Sequence, residues 1–256
     1  PAPARPSSLH FVAHGPLDNG TAAGAGSGTT DGPRAGATAR SASPGATRGW
    51  RRRWHRWYEE GLVTVVLLAV ASLGLFFAYA QLHTALPVDM TRRGFSEASY
   101  GLLWTLNATL VVILTPVASA WADRRGWSLA TLLRASAVTH AAGFGLLAAA
   151  GLRPGYAAFV LAMAVITVGE VLHAMSFSAA VARVAPEDRR GTYQGVAGML
   201  TGVAWMAGPL LGGVIADGYG IGTLWVVTVV ACLGALAVFR AAEAVEHTRR
   251  HGPGIG

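Results

Sequence analysis

From Gly61 onward, long apolar stretches alternate with short polar turns. The stretches run over about 61–84, 97–121, 128–151, 154–180, 191–216 and 221–241. As helices rising about 1.5 Å per residue, they are long enough to cross a hydrocarbon core about 30 Å thick. A helix buried in a soluble core is rarely this long and apolar on every side. A membrane barrel would instead show alternation in segments of about ten residues. The fold class expected is therefore an all-α membrane protein, a six-transmembrane-helix bundle. Composition agrees. Hydrophobic residues make up 52% and charged residues 13%, whereas a soluble domain carries about a quarter charged residues.

Residues 1–48 are rich in Gly, Ala, Pro, Ser and Thr and have no long apolar run. Such a segment cannot offset the entropy lost on ordering, so a disordered linker or tail is expected there. It lacks the basic start and apolar core of a signal peptide. The chain begins with Pro1 rather than Met, and a fragment of a longer protein is expected. The expected organisation is a six-span bundle over 49–245, followed by a cytoplasmic tail over 246–256.

The positive charge is all arginine, with 20 Arg and Lys combined and a formal net charge of +7. Trp50 to Glu60 interleaves Arg with Trp directly before an apolar stretch. That is the pattern of a membrane-interface belt rather than a nucleic-acid patch. Arg51, Arg52, Arg53, Arg56, Arg124, Arg125, Arg183, Arg189, Arg190, Arg240, Arg249 and Arg250 fall on one side of the expected topology. Arg92, Arg93 and Arg153 fall on the other. The positive-inside rule then puts both termini in the cytoplasm. A bacterial plasma membrane is the expected location. Arg134 lies inside the third span, near enough to the cytoplasmic face to snorkel.

Glu170 is the acid placed well inside a span, in Val168-Gly169-Glu170-Val171-Leu172-His173. A charge at mid-bilayer costs about 2.5–3.5 kcal/mol on insertion scales, and an intramembrane acid is a functional candidate by default. Hydrocarbon disfavours the ionised carboxylate, which suits a group that binds a proton. A structural hydrogen bond between helices is the other reading. His173 lies one turn away on the same face. Glu-x-x-His also occurs in di-iron bundles, but those need a second such motif, and no metal site is expected. His140, mid-span, reads as an interhelical hydrogen bond or a relay. Cys232 reads as a packed thiol. No Gly-x-Ser-x-Gly, His-Glu-x-x-His or phosphate-loop motif lies in the spans, so neither an enzyme nor a cofactor is expected.

Three segments carry a resemblance. The turn after span two reads Ala120-Trp121-Ala122-Asp123-Arg124-Arg125-Gly126. The turn after span four reads Ala185-Pro186-Glu187-Asp188-Arg189-Arg190-Gly191. Span five spaces Gly195, Ala204, Gly208-Pro209 and Gly212-Gly213. Together with the span spacing, these resemble the carboxyl-terminal six-helix half of a major facilitator superfamily transporter of the drug/proton-antiporter type. Ser119, Trp127 and Ser128 depart from the family's Gly-x-x-x-Asp-Arg-x-Gly-Arg/Lys-Arg/Lys loop. The resemblance implies that Asp123 docks near a neighbouring helix N-terminus, that Arg124 pairs with acids or lipid phosphates, and that Gly126 completes a gating turn. It makes span five a packing and gating helix. Independently of the family, small residues at i and i+4 let helices approach closely, and Pro209 permits a kink. Tyr79-x-Gln81 followed by Leu86-Pro87 resembles the end of the family's seventh helix, which lines the central cavity. Tyr79, Gln81 and Asn107 are thus either cavity-lining or interhelical packing groups, and His83 is a further polar group nearby.

The resemblance implies a secondary transporter exporting a small molecule by proton-coupled alternating access. Glu170 would be the protonatable site, with His173, Asn107, Gln81 and Tyr79 beside it. Its partners would be substrate, protons, the lipid bilayer and the missing amino-terminal six-helix half, or a second copy of the chain. The competing reading is a six-helix membrane scaffold or binding protein that does not transport.

Overall fold

The computed structural model describes residues 61–150 and 155–251. Expectations placed on residues 1–60, Arg153 and residues 252–256 lie outside the described residues. The helices are α1 (Leu62–Arg92), α2 (Glu97–Arg125), α3 (Leu129–Ala150), α4 (Tyr156–Val184), α5 (Arg190–Tyr219) and α6 (Ile221–His251). A single 3-10 turn, Glu187–Arg189, precedes α5. Among the described residues there is no strand, and all 6 helices are long and apolar enough to cross a membrane. The expected six-helix bundle is what the chain forms.

Several helices outrun their apolar stretches. The first stretch was expected to end near residue 84, yet α1 continues through Pro87 to Arg92. Its last turns are held by burial of Leu86, Asp89 and Met90. Gly94, at φ 83°, then ends the helix, with Phe95 N–H donating to the Met90 carbonyl at 3.0 Å and Gly94 N–H to the Thr91 carbonyl at 2.9 Å. This pair of bonds satisfies carbonyls that a helix end leaves open. At the other end of the bundle α6 runs on to His251. Glu246 there accepts hydrogen bonds from Arg249 at 2.7 Å, from Arg250 at 2.5 Å and from Thr64 of α1 at 3.3 Å.

Hydrocarbon offers no hydrophobic drive for helices to associate, so close packing and interhelical hydrogen bonds must hold them. The most extensive contacts join α3 to α4, α1 to α5, α1 to α6 and α3 to α6. Glycines permit the closest crossings. A Cβ on Gly74 would lie 2.7 Å from the Ala231 carbonyl oxygen of α6, and one on Gly143 would collide with Ile166 of α4. Trp225, Phe144, Phe159 and Ile166 fill the space between. By contrast, only 11% of the most apolar window of α2 and 22% of that of α5 is buried, against 50% for α3 and α4. Helices α2 and α5 therefore present open apolar faces, including Val112, Ile113 and Val117 on α2 and Met206, Leu210 and Val214 on α5.

One polar staple ties four helices at the end of the bundle where α1 finishes. Asp89 is 2% exposed. Its carboxylate accepts from Arg93 Nε at 2.7 Å and from Trp225 Nε1 of α6 at 2.9 Å. Arg93 also donates to the Ala150 carbonyl of α3 at 2.9 Å and lies over the Phe159 ring of α4. The sequence reading counted Arg93 as a loop charge and Glu170 as the acid inside a span. Asp89 is a further acid inside a helix, and a buried one, which an apolar stretch ending near residue 84 leaves out. Breaking a buried ion pair by removing one partner costs about 3–5 kcal/mol. Asp89→Ala should therefore lower the thermal unfolding midpoint of the purified protein well below that of an exposed control such as Glu97→Ala.

Candidate functional site

The polar centre is built where α2 crosses α4. Thr167 donates its hydroxyl to the Met163 carbonyl one turn back, at 2.8 Å. Its oxygen is thereby turned to accept from Asn107 Nδ2 of α2, at 2.9 Å. The same amide nitrogen donates to Glu170 Oε2 at 2.8 Å. Asn107 is buried and fixed from both sides. The Tyr79 hydroxyl of α1 lies close enough to the Glu170 carboxylate to interact with it. A neutral donor from α2 thus reaches Glu170, with the Tyr79 side chain of α1 beside it, and such uncharged polar neighbours offset part of the cost of an acid in an apolar bundle.

Glu170 lines a cavity of about 320 Å³ together with Phe76, Tyr79, His140, His173 and Trp205. Aromatic rings pack around its rim. Tyr79 meets Trp205 edge-on at 5.8 Å, and His83 stacks on Trp104 at 4.3 Å between centroids. His173 stacks on Phe177 at 5.0 Å. The His173 Nε2 atom lies 3.0 Å from Ser72 Oγ of α1. His140 Nδ1 lies 2.8 Å from the Ser136 carbonyl oxygen. The His140 ring rests on the backbone of Gly169, where any Cβ would collide with it. Among the described residues no group of three or more His, Cys, Asp and Glu is arranged to hold a metal.

The sequence-derived candidates divide. Glu170, His173 and Tyr79 line one cavity, and Asn107 hydrogen-bonds its carboxylate. Gln81 lies elsewhere. It is fully buried and donates to the Gly208 carbonyl of α5 at 2.9 Å and to the Phe77 carbonyl at 3.0 Å. There it bridges α1 and α5. Tyr79 and Gln81 are two residues apart, which puts them on opposite faces of a helix. Trp104, Trp205, Thr167 and Ser72 went unremarked in the sequence. The i, i+3 spacing of Trp104 and Asn107 was the available signal for the first.

A model of the Major Facilitator Superfamily matches residues 22–206 and 67–254. The chain belongs to this superfamily. It is an integral membrane protein. It is 31% identical over 149 residues to an uncharacterized MFS-type transporter, YttB, of Bacillus subtilis (strain 168), covering 58% of this chain and 37% of that protein. The crystal structure of the peptide transporter POT in complex with sulfate superposes with a TM-score of 0.60 at 20% identity, over 75% of this chain and 39% of that one. A mutant form of the same transporter gives 0.57 at 22% identity, over 76% and 39%. At these identities the structural likeness speaks for the fold alone. The chain spans well under half the length of these relatives.

The superfamily-like loop and glycine motifs also resolve into separate parts. Asp123 and Arg124 are exposed, and neither side chain has a hydrogen bond or ion pair among the described residues. The expected docking of Asp123 on a neighbouring helix end is thus not made within these six helices. Gly126, at φ 61°, caps α2. Trp127 N–H donates to the Ala122 carbonyl at 3.0 Å, and its ring packs on Trp121 at 4.4 Å. Trp127, which departs from the family's basic residue, closes the helix end with an apolar contact. Arg134 does not simply snorkel but pairs with Glu243 of α6 at 3.1 Å. In α5, Gly208 and Gly212 face α1, where a Cβ on Gly212 would collide with the fixed Gln81 side chain. Gly195, Gly198 and Gly213 have nothing within 4 Å of an added Cβ. Pro209 lies within α5 on its exposed side. Overpacking costs about 1–3 kcal/mol. Gly212→Val should lower thermal stability by that order and Gly198→Ala should leave it unchanged, both read by unfolding of the purified protein.

Proposed function

We propose that this chain forms the carboxyl-terminal half of a secondary active transporter, which couples proton movement to export of a small molecule by alternating access. The observation that carries the reading is the Glu170 carboxylate, held by Asn107 and faced by Tyr79 at the wall of an open cavity. Its hydrogen-bond donors are neutral, so no resident cation fixes its charge. Proton and substrate can then compete for the same acceptor, and exclusive occupancy couples their fluxes.

The open faces of α2 and α5 are where a second six-helix half would close the cavity, with the substrate site between the halves near the midplane. Gly195, Gly198 and Gly213 let a facing helix approach closely. Asp123 and Arg124 are available to latch onto that half, and Pro209 lets α5 bend as the halves rock. The excess of arginine at one end of the bundle supports cytoplasmic termini in a bacterial plasma membrane.

The test uses the complete protein in proteoliposomes under an imposed pH gradient. Wild type should drive accumulation of its substrate against a gradient. Glu170→Gln should keep substrate exchange at equal concentrations and lose pH-driven accumulation. A Glu170→Gln protein that still accumulates substrate at the wild-type level would overturn the reading, and a scaffold would show neither activity in wild type.

A further inference from the structure

A second cavity, of about 230 Å³, lies between α1, α3, α4 and α6 at the end of the bundle where α6 finishes. It shares no described lining residue with the Glu170 cavity. We propose that it holds an anionic phospholipid of the surrounding bilayer, with one acyl chain between the four helices and the phosphate at Arg183.

The cavity crosses the boundary between hydrocarbon and headgroups. The apolar stretches of α1 and α3 begin at this end, near residues 61 and 128, and those of α4 and α6 finish here, near 180 and 241. Leu68, Leu133 and Phe239 lie inside those stretches and are buried in the cavity wall. Leu68 is six residues past the start of α1, about 9 Å along the helix axis. Arg183, Glu246 and Arg250 lie beyond the stretches, and both arginines are exposed. Apolar depth under a charged mouth fits an amphiphile. An inorganic anion would occupy the mouth alone and forgo the contacts that the apolar depth offers.

The free charge at the mouth is positive. Glu243 pairs with Arg134 at 3.1 Å. Glu246 accepts from Arg249 at 2.7 Å and from Arg250 at 2.5 Å, and Thr64 spends its hydroxyl hydrogen on the same carboxylate. Arg183 has no hydrogen bond or ion pair among the described residues. Four guanidiniums thus surround two carboxylates that already have partners. Ser128 and the stacked rings of His247 and His251, 4.5 Å apart, complete the described polar lining. A hydroxyl or an imidazole can give or take a hydrogen bond, so these three accept either sign of headgroup and the guanidiniums decide. One guanidinium offers a phosphate two parallel N–H bonds. The same charge speaks against an occupant from the chain itself. Trp50 to Glu60 precedes α1 with Arg51, Arg52, Arg53 and Arg56 against Glu59 and Glu60. A second copy would bring the same arginine-rich end. Like charges repel, and an anionic lipid supplies the complement.

The experiment titrates the complete protein in detergent with phosphatidylglycerol or phosphatidylcholine of identical acyl chains and counts bound lipid by native mass spectrometry. One phosphatidylglycerol should bind about tenfold more tightly than phosphatidylcholine. Arg183→Gln should abolish that preference, and Arg183 is exposed and unbonded, so the change does not threaten folding. Arg240→Gln, an exposed position on α6 outside the cavity, should leave the preference intact. Phosphatidylglycerol with a photoactivatable diazirine on one acyl chain should label the α3 and α6 peptides that hold Leu133 and Phe239. Equal binding of the two lipids, or a preference untouched by Arg183→Gln, would overturn the proposal. So would label confined to the open faces of α2 and α5, the mark of ordinary boundary lipid. Displacement of the lipid by equimolar inorganic phosphate or oleate would give the cavity to a free anion or a fatty acid instead. A benzophenone side chain introduced at Ala130 that captured residues 50–60, or a second copy, would give it to the chain itself. None of these readouts depends on transport through the Glu170 cavity.

Discussion

A carboxylate inside an apolar bundle is stable only where hydrogen-bond donors converge on it, and the crossing of α2 and α4 is arranged around that requirement. Thr167 gives its hydrogen to its own helix, Asn107 gives both of its amide hydrogens outward, and Glu170 receives one of them. The chain of bonds holds the Asn107 amide nitrogen between Thr167 and Glu170. It also explains why α2, buried at few positions, keeps its register on α4: Asn107 and Leu103 are two of its 3 buried residues, with Ala122. Removing the acid would leave Asn107 with an unmatched donor, so the network supports the crossing of α2 on α4.

Two helical acids, Asp89 and Glu170, make opposite use of the same chemistry. Asp89 is closed off, paired with a guanidinium and an indole N–H, and stitched through Arg93 to α3. Glu170 has only uncharged partners and borders a cavity. A paired buried charge resists change because breaking the pair strands its partner. Glu170, held by a neutral donor at a cavity wall, has no charged partner to strand.

The number and order of the helices were legible in the sequence because a bilayer demands long apolar runs, and few other structures do. Helix ends were less legible. Hydropathy stops where charge begins, yet α1 buries Asp89 and α6 carries Glu246 with its two arginines inside continuous helix. The acid at 170 stood out for its burial cost alone. What surrounds it did not, since Tyr79, Asn107 and Trp205 come from three helices whose relative rotation no local pattern encodes. Gln81 shows the reverse case, where helical spacing already separated it from Tyr79. The glycine motif of α5 was read as one unit, whereas Gly208 and Gly212 pack on α1 and Gly195 and Gly213 face outward.

The central claim is that Glu170 is a proton-binding group that meets the cavity from within the bilayer. The most direct measurement is carbodiimide labelling of the complete protein in membranes across a pH series, mapped by mass spectrometry. A lipid-soluble carbodiimide reacts with protonated carboxyl groups in apolar surroundings. The account predicts labelling at Glu170 that falls as pH rises, with Asp89 unlabelled behind its guanidinium. Glu170 left unlabelled at every pH in a folded protein, or labelled to an extent that pH does not change, would contradict it.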